Sequence, residues 1–341
     1  MMKQNFNSPY PWQTGLWQQL RHDRQQLGHA LLLYGRAGIG KYAFARYLSQ
    51  ALLCKQPHSG HPCGECASCH WFNEESHPDF RLLSPEQAAE SDDESAPSKK
   101  TKKKTQISVS QIRDLNEFLS LSSHRYDGAR IVLIQPAEAL NAASANALLK
   151  MLEEPAPGVI FILVANQLQR LLPTIISRCQ KVSMPAPSES QALAWLSEQG
   201  VQNAQQQLAY ASGSPIQVVN EQAQSTTLAD IWQQLALGSK LQPHLAASML
   251  IAHSAETGII ALQKWLCDLL TMRLTKQVHY HVKQSGALQG LSDKVNLSQL
   301  MQLQKKVDEL RKLALHPLNH ELQLEALLVE YTRVFVNKIS R

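Results

Sequence analysis

The octet Gly35-Arg36-Ala37-Gly38-Ile39-Gly40-Lys41-Tyr42 constrains the fold more than any other stretch of the 341-residue chain. It follows a short apolar run, His29-Ala30-Leu31-Leu32-Leu33-Tyr34, that reads as a buried strand. It precedes a pattern with Phe44, Tyr47, Leu48, Ala51 and Leu52 on one helical face. Strand, glycine-rich turn and helix in that order make a phosphate-binding loop. The glycines let backbone N–H groups curl around anionic oxygens, and the helix N-terminus adds its dipole.

The octet also carries a defect. Gly35, Gly38, Gly40 and Lys41 are the residues expected to hold phosphate. The next position needs a small hydroxyl for Mg²⁺, and here it is Tyr42, whose phenol is too long for that place. A second buried strand, Ile131-Val132-Leu133-Ile134, would end in a metal-binding acid in an active P-loop ATPase. It continues instead as Gln135-Pro136-Ala137-Glu138, with Glu138 one helical turn too late. Two metal positions lost together argue against hydrolysis by this chain, while nucleotide binding stays open.

Val159-Ile160-Phe161-Ile162-Leu163-Val164 reads as a third buried strand, and an Ala/Leu-rich helix is expected over 140–153, closed by Pro155 and Pro157. Strands alternating with helices give an α/β fold with a mainly parallel sheet. Pro185 and Pro187 mark a linker, with Ser188 as a candidate helix cap. Beyond it the patterns are helical, as in Leu324, Leu327, Leu328, Tyr331 and Phe335, broken at Gly213-Ser214-Pro215 and by expected loops near 226 and 286–290. Residues 86–105 hold five acids and five lysines with few apolar side chains, and they read as a disordered surface insertion.

Four of the six cysteines follow the spacing Cys54-x8-Cys63-x2-Cys66-x2-Cys69. Four thiolates at short spacing suit a structural, tetrahedral Zn²⁺. An iron–sulfur cluster is the competing use, but no Cys-Pro follows and no redox domain is visible. His58, His61, His70 and His77 are expected at the surface and not as ligands. Cys267 reads most simply as a core residue. No apolar run is long enough to cross a membrane, and the first residues lack a signal-peptide core, so a cytoplasmic location is expected. The net charge of +5 is too small to mark a nucleic-acid binder by itself.

Downstream of the third strand, Ser177-Arg178-Cys179 ends a short helical stretch. A lone arginine there is ordinarily a solvated helix residue. Its neighbours change the reading. Together with the strand before the P-loop, the cysteine spacing and Asn146-Ala147-Leu148-Leu149-Lys150-Met151-Leu152-Glu153-Glu154-Pro155, it resembles the bacterial clamp-loader subunits of DNA polymerase III, an AAA+ family. The likeness covers nearly the whole N-terminal half.

Within that family the sequence is similar to the delta-prime branch, which lacks ATPase activity but keeps the zinc module and the Ser-Arg-Cys motif. The ATPase branches, gamma and tau, carry an arginine after a Gly-Ser in their second domain. Here Gly213-Ser214 is followed by Pro215-Ile216-Gln217. The resemblance implies an AAA+-like domain with a zinc module over 1–184, a helical lid over 185–226 and a helical collar over 227–341. It implies Arg178 as an arginine finger acting in trans, Zn²⁺ as the structural metal, and Asn166 near a sensor position. It further implies a five-membered ring with gamma or tau and delta subunits, which loads a sliding clamp on primed DNA as part of a DNA-directed DNA polymerase holoenzyme. A gamma-like ATPase with an unusual site and a zinc-dependent DNA-binding module are the competing readings.

Overall fold

The structure is a computed structural model that describes residues 8–22, 27–85, 106–120, 129–221, 228–252, 254–313 and 319–335. The charged insertion expected over 86–105 lies outside these residues. The chain divides into two compact units, Met1–Gln191 and Ala192–Arg341.

The first unit runs α1 (Thr14–His22), β1 (Ala30–Tyr34), α2 (Lys41–Leu53), α3 (Ala67–Asn73), β2 (Phe80–Leu83), α4 (Val109–Ser120), β3 (Arg130–Ile134), α5 (Ala142–Glu153), β4 (Val159–Ala165), α6 (Pro173–Arg178) and β5 (Gln180–Ser183). The strands form one parallel sheet in the order β2-β3-β4-β1-β5. Alternate residues of the central strands face opposite sides. Leu32, Val132, Phe161 and Leu163 join a core that holds residues of α4, α5 and α6. Leu31, Leu33, Leu133 and Ile162 join a second core that holds residues of α1 and α2. Because both faces are covered, β1, β3 and β4 are apolar apart from Arg130 at the start of β3, as expected of central parallel strands.

The sequence patterns find those three strands but not β2 and β5. These two are edge strands, each with a single buried residue, Leu83 and Val182. A parallel sheet gathers the carboxyl ends of its strands on one edge, where ligands of open α/β sheets bind. That edge carries the glycine loop after β1, Gln135 after β3 and Asn166 after β4.

Helix α7 (Glu189–Glu198) begins behind a working cap: the Ser188 hydroxyl accepts from the Gln191 amide at 3.2 Å. The second unit then holds α8 (Ala204–Tyr210), α9 (Pro215–Glu221), α10 (Leu228–Ala236), α11 (Pro243–Ile251), α12 (Ala255–Thr275), α13 (Ser285–Ser292), α14 (Leu297–Lys312) and α15 (His320–Arg333). No strand follows Ser183 among the described residues, as the patterns require. The break at Gly213-Ser214-Pro215 separates α8 from α9, and Pro215 sits at the first helical position, where its missing N–H costs nothing.

The loop expected over 286–290 is instead part of α13. Gly286 and Gly290 face open space, while Leu288 and Leu291 are buried, so packing overrides the weak helix propensity of glycine. The loop expected near 226 lies outside the described residues. Among the described residues, two separate apolar clusters lie in this unit. A small one contains Leu196, Val201, Leu208 and Val218. A large one is centred on Trp265 of α12, whose indole donates to the Tyr331 hydroxyl at 2.9 Å, which in turn donates to the Leu235 carbonyl at 2.8 Å.

Candidate functional site

The glycine loop is built as its sequence requires. Gly38 and Gly40 have φ of 72° and 88°, in the left-handed region where a side chain is strained. A Cβ on Gly35 would lie 3.1 Å from the Met184 carbonyl oxygen. The tip of the loop is tied down from outside, since the Trp12 indole and the Gln13 amide both donate to the Ile39 carbonyl at 2.9 Å.

Lys41 does not project from this loop. Its side chain turns back, and Nζ donates to the Gly35 carbonyl at 2.8 Å and to the Arg36 carbonyl. The residue is 4% exposed. Burial pushes its pKa down to about 8, with the Glu138 carboxylate opposing the shift. Tyr42 is drawn toward its own helix, where it hydrogen-bonds Arg46. Arg46 also pairs with Glu75 at 2.8 Å.

Glu138 has a use that sequence reasoning missed. It lies on the 3-10 turn Ala137–Ala139, and its Oε1 accepts from the backbone amides of Asn166 and of Gln167, the latter at 2.7 Å. The carboxylate thereby joins the chain beyond β3 to the chain beyond β4. The adjacent parallel strands, with Ile134 beside Leu163, bring these segments together.

Arg178 is the last residue of α6 and its side chain is 35% exposed. NH1 donates to the Thr174 carbonyl at 3.0 Å, and NH2 pairs with the Glu153 carboxylate at the end of α5. The guanidinium therefore lies along its own domain surface, held by the Thr174 carbonyl, the Ser177 hydroxyl at 3.5 Å and one partly exposed acid. Cys179 behind it is buried, and burial pushes its thiol up to about 11, which leaves it unreactive.

Cys54, Cys63, Cys66 and Cys69 converge, with all four sulfur atoms within 4.8 Å of one another. The Cys54–Cys63, Cys54–Cys66 and Cys63–Cys69 separations are 3.5, 3.9 and 4.0 Å. Tetrahedral zinc with Zn–S bonds of about 2.3 Å needs S···S edges of about 3.8 Å. The donor set therefore fits such an ion. The amides of Cys63 and Cys66 point at the sulfurs of Cys54 and Cys63, at 3.3 and 3.4 Å. Burial raises the Cys54 and Cys69 thiols. Cys66 falls to about 6, because backbone amides and neighbouring thiols outweigh its burial. Cys54 caps the C-terminus of α2, so one helix runs from the glycine loop to the cysteine cluster.

The region carrying these features, residues 12–188, matches the protein family described as "DNA polymerase III, delta subunit". Over 94% of this chain and 97% of its relative, the sequence is 35% identical to the DNA polymerase III subunit delta-prime of Pseudomonas aeruginosa. The chain belongs to the delta-prime family of DNA polymerase III subunits. It is also 35% identical to the delta-prime subunit of Escherichia coli, over 56% of this chain and 53% of that protein. A gamma subunit-related protein of Thermotoga maritima aligns with 93% of this chain and 99% of its own at 17% identity, with a TM-score of 0.45.

For a member of this family, the structure corrects one expectation about the cysteine module. None of its four histidines joins the metal-binding group, but not all are at the surface. His77 is 5% exposed, with Nε2 on the Ser68 hydroxyl at 2.8 Å and Nδ1 accepting from the Asp79 amide at 3.0 Å. His61 bridges the Tyr47 hydroxyl at 2.7 Å and the Trp17 indole at 3.3 Å, fastening the cysteine loop to α1 and α2. Only His58 and His70 are exposed. Cys267 is half-buried on α12 and is not a full core residue.

Proposed function

We propose that this delta-prime-family chain is a non-hydrolysing member of the clamp loader that presents Arg178 to the ATP site of an adjacent gamma or tau subunit. One contrast carries the reading. The positions for a metal on the chain's own nucleotide have lost their donors, at Tyr42 and Gln135, and Lys41 is bound to the carbonyls of its own loop. Meanwhile Arg178, which acts outward, remains at the surface on a short helix. A guanidinium delivered from a neighbour stabilises the charge that develops on a transferred phosphoryl group.

In this reading the role needs no nucleotide at Gly35–Lys41. The first unit is a rigid brace: Glu138 locks two strand ends, and a zinc ion on Cys54, Cys63, Cys66 and Cys69 fixes the far end of α2. Zinc supplies a structural crosslink there, since four protein thiolates leave no open coordination position. The helical part of the chain after β5, read as a lid over 185–226 and a collar over 227–341, provides the contacts of a five-membered ring with delta and gamma or tau. The assembled ring, in the bacterial cytoplasm, places the sliding clamp on primed DNA. No helix among the described residues is long and apolar enough to cross a membrane.

Co-purification with gamma or tau and delta subunits, followed by ATPase assays on the chain alone and on the complex, tests the proposal. The expected result is a complex that hydrolyses ATP and a lone chain that does not. Turnover by the lone chain that disappears in Lys41→Ala would overturn it.

A further inference from the structure

Glu138 and Arg178 stand at opposite ends of one closed path through the first unit. Helix α5 begins at Ala142, under a cap in which the Asn141 side-chain oxygen accepts from the Ser144 amide at 2.9 Å, and it ends at Glu153. Helix α6 ends at Arg178, whose NH2 pairs with that same Glu153. Glu138 closes the path at its other end, through the amides of Asn166 and Gln167. Between the two closures, Leu148 and Leu152 of α5 share one apolar core with Leu171 and Ile175.

The closures differ in permanence. The Arg178 pair is open to water and must part before the guanidinium can reach a neighbour. The Glu138 carboxylate takes two backbone N–H groups on one oxygen, and hydrogen bonds to an ionised acceptor are about twice as strong as neutral ones. Its other oxygen, Oε2, is shut off from water and has no hydrogen-bond partner among the described residues. An unpaired buried acceptor costs free energy. The fold carries that cost to keep a carboxylate at this place.

From Gln167 to Arg178 the chain has no loose hinge. The Arg170 amide bonds the Gln167 carbonyl at 3.2 Å, and the Leu171 amide bonds the Leu168 carbonyl at 3.0 Å. The amides of Ile175 and Ile176 then bond the Leu172 carbonyl at 3.0 and 3.2 Å, across the proline that starts α6. Along this run only Leu171 and Ile175 are buried. A helix of six residues has no stability of its own. Its direction is set by these two apolar anchors and by where the run begins, which is the segment that Glu138 holds.

We infer, building on the trans-acting role proposed for Arg178, that Glu138 is its positioning residue. By fixing the amides of Asn166 and Gln167, Glu138 sets the origin and direction of α6, and so the place where the guanidinium arrives once Glu153 releases it.

The reconstituted loader and the isolated full chain test this together. In the loader, Glu138→Ala should leave assembly intact and lower kcat for ATP about tenfold at unchanged KM, because a misplaced donor acts on the transition state and not on ATP binding. Glu138→Gln keeps the reach and an acceptor oxygen, and should restore most of the rate. Glu138→Asp keeps the charge but is one methylene too short, and should behave as Glu138→Ala does. In an Arg178→Ala background, Glu138→Ala should add no further loss, since it acts only through that side chain. In the isolated chain, hydrogen exchange at Ile175 and Ile176 should speed up about tenfold in Glu138→Ala and Glu138→Asp but not in Glu138→Gln, with the β1 amides still protected.

Unchanged exchange at α6, or a Glu138→Asp loader as active as the parent, overturns the inference. So does exchange that rises equally in β1, or a further loss on top of Arg178→Ala, the marks of a merely structural role. A loader fully active with Arg178→Ala removes the arginine-finger reading itself. One impaired by Arg178→Ala and indifferent to Glu138→Ala removes only the positioning role.

Discussion

If Arg178 acts on a neighbouring subunit, it must leave the partners it holds in the isolated chain, and the structure sets the cost of leaving. The Glu153 pair is 47% exposed on the carboxylate side and 35% on the arginine side. Ion pairs this accessible to water contribute about 0.2–1 kcal/mol. That energy corresponds to a factor of about 1.4 to 5 in the population of released guanidinium. Glu153→Gln keeps the shape of the side chain and removes the charge. The Thr174 carbonyl bond at 3.0 Å is untouched, so the gain is bounded by the ion pair alone. In a reconstituted loader with this subunit below saturation, ATP hydrolysis should rise by about 1.4- to fivefold. The difference should shrink as salt screens the pair. A fall of about tenfold or more would refute the reasoning, because Glu153 would then belong to the active arrangement and not to a resting one.

Two further outcomes follow from the packing. Cys66→Ser should strip bound metal and lower the melting temperature of its unit by about 4–8 °C, as expected for a loss of about 2 kcal/mol; metal analysis with calorimetry checks it, and unchanged melting contradicts it. A Cβ on Gly258 would lie 2.2 Å from the Leu250 carbonyl oxygen, so Gly258→Ala should destabilise the helical unit by about 1–3 kcal/mol despite the better helix propensity of alanine, read as a lower melting temperature.

The pH dependence has a definite sign. His281 is held below its ordinary pKa of 6.5 mainly by burial, so the unfolded chain takes up this proton first as pH falls. Stability from this group is present above about pH 6.5 and is lost as pH drops toward the folded pKa. NMR titration of His281 should show a neutral ring at pH 6.5, and a ring already half-charged there contradicts the assignment.

Much of this architecture is legible in the sequence where a residue's role is local. The central strands announce themselves because burial on both faces leaves no polar residue in Leu31-Leu32-Leu33 or Ile131-Val132-Leu133-Ile134. The glycine loop and the cysteine cluster depend on fixed spacing within one turn or knuckle, which a sequence states directly. Edge strands β2 and β5 bury too little to leave a pattern, and the two glycines of α13 disguise a helix whose other face is packed.

What stays hidden are contacts made by the fold. Glu138 reaches Asn166 and Gln167 only because β3 and β4 are neighbours in parallel register. Glu153 meets Arg178 only because α5 and α6 end side by side. Asp268 and His281 pair only because the chain after α12 folds back over it. No periodicity encodes these meetings.

The central claim is that Arg178 works on its neighbour's ATP, and substitution within the assembled complex tests it most directly. In a loader reconstituted with Arg178→Ala, assembly should be unchanged, while ATP hydrolysis stimulated by clamp and primed DNA should fall by about tenfold or more. Arg178→Lys should fail to restore it, because a point charge does not replace the planar fork. An assembled complex in which Arg178→Ala hydrolyses ATP and loads clamps at the full rate would contradict the account.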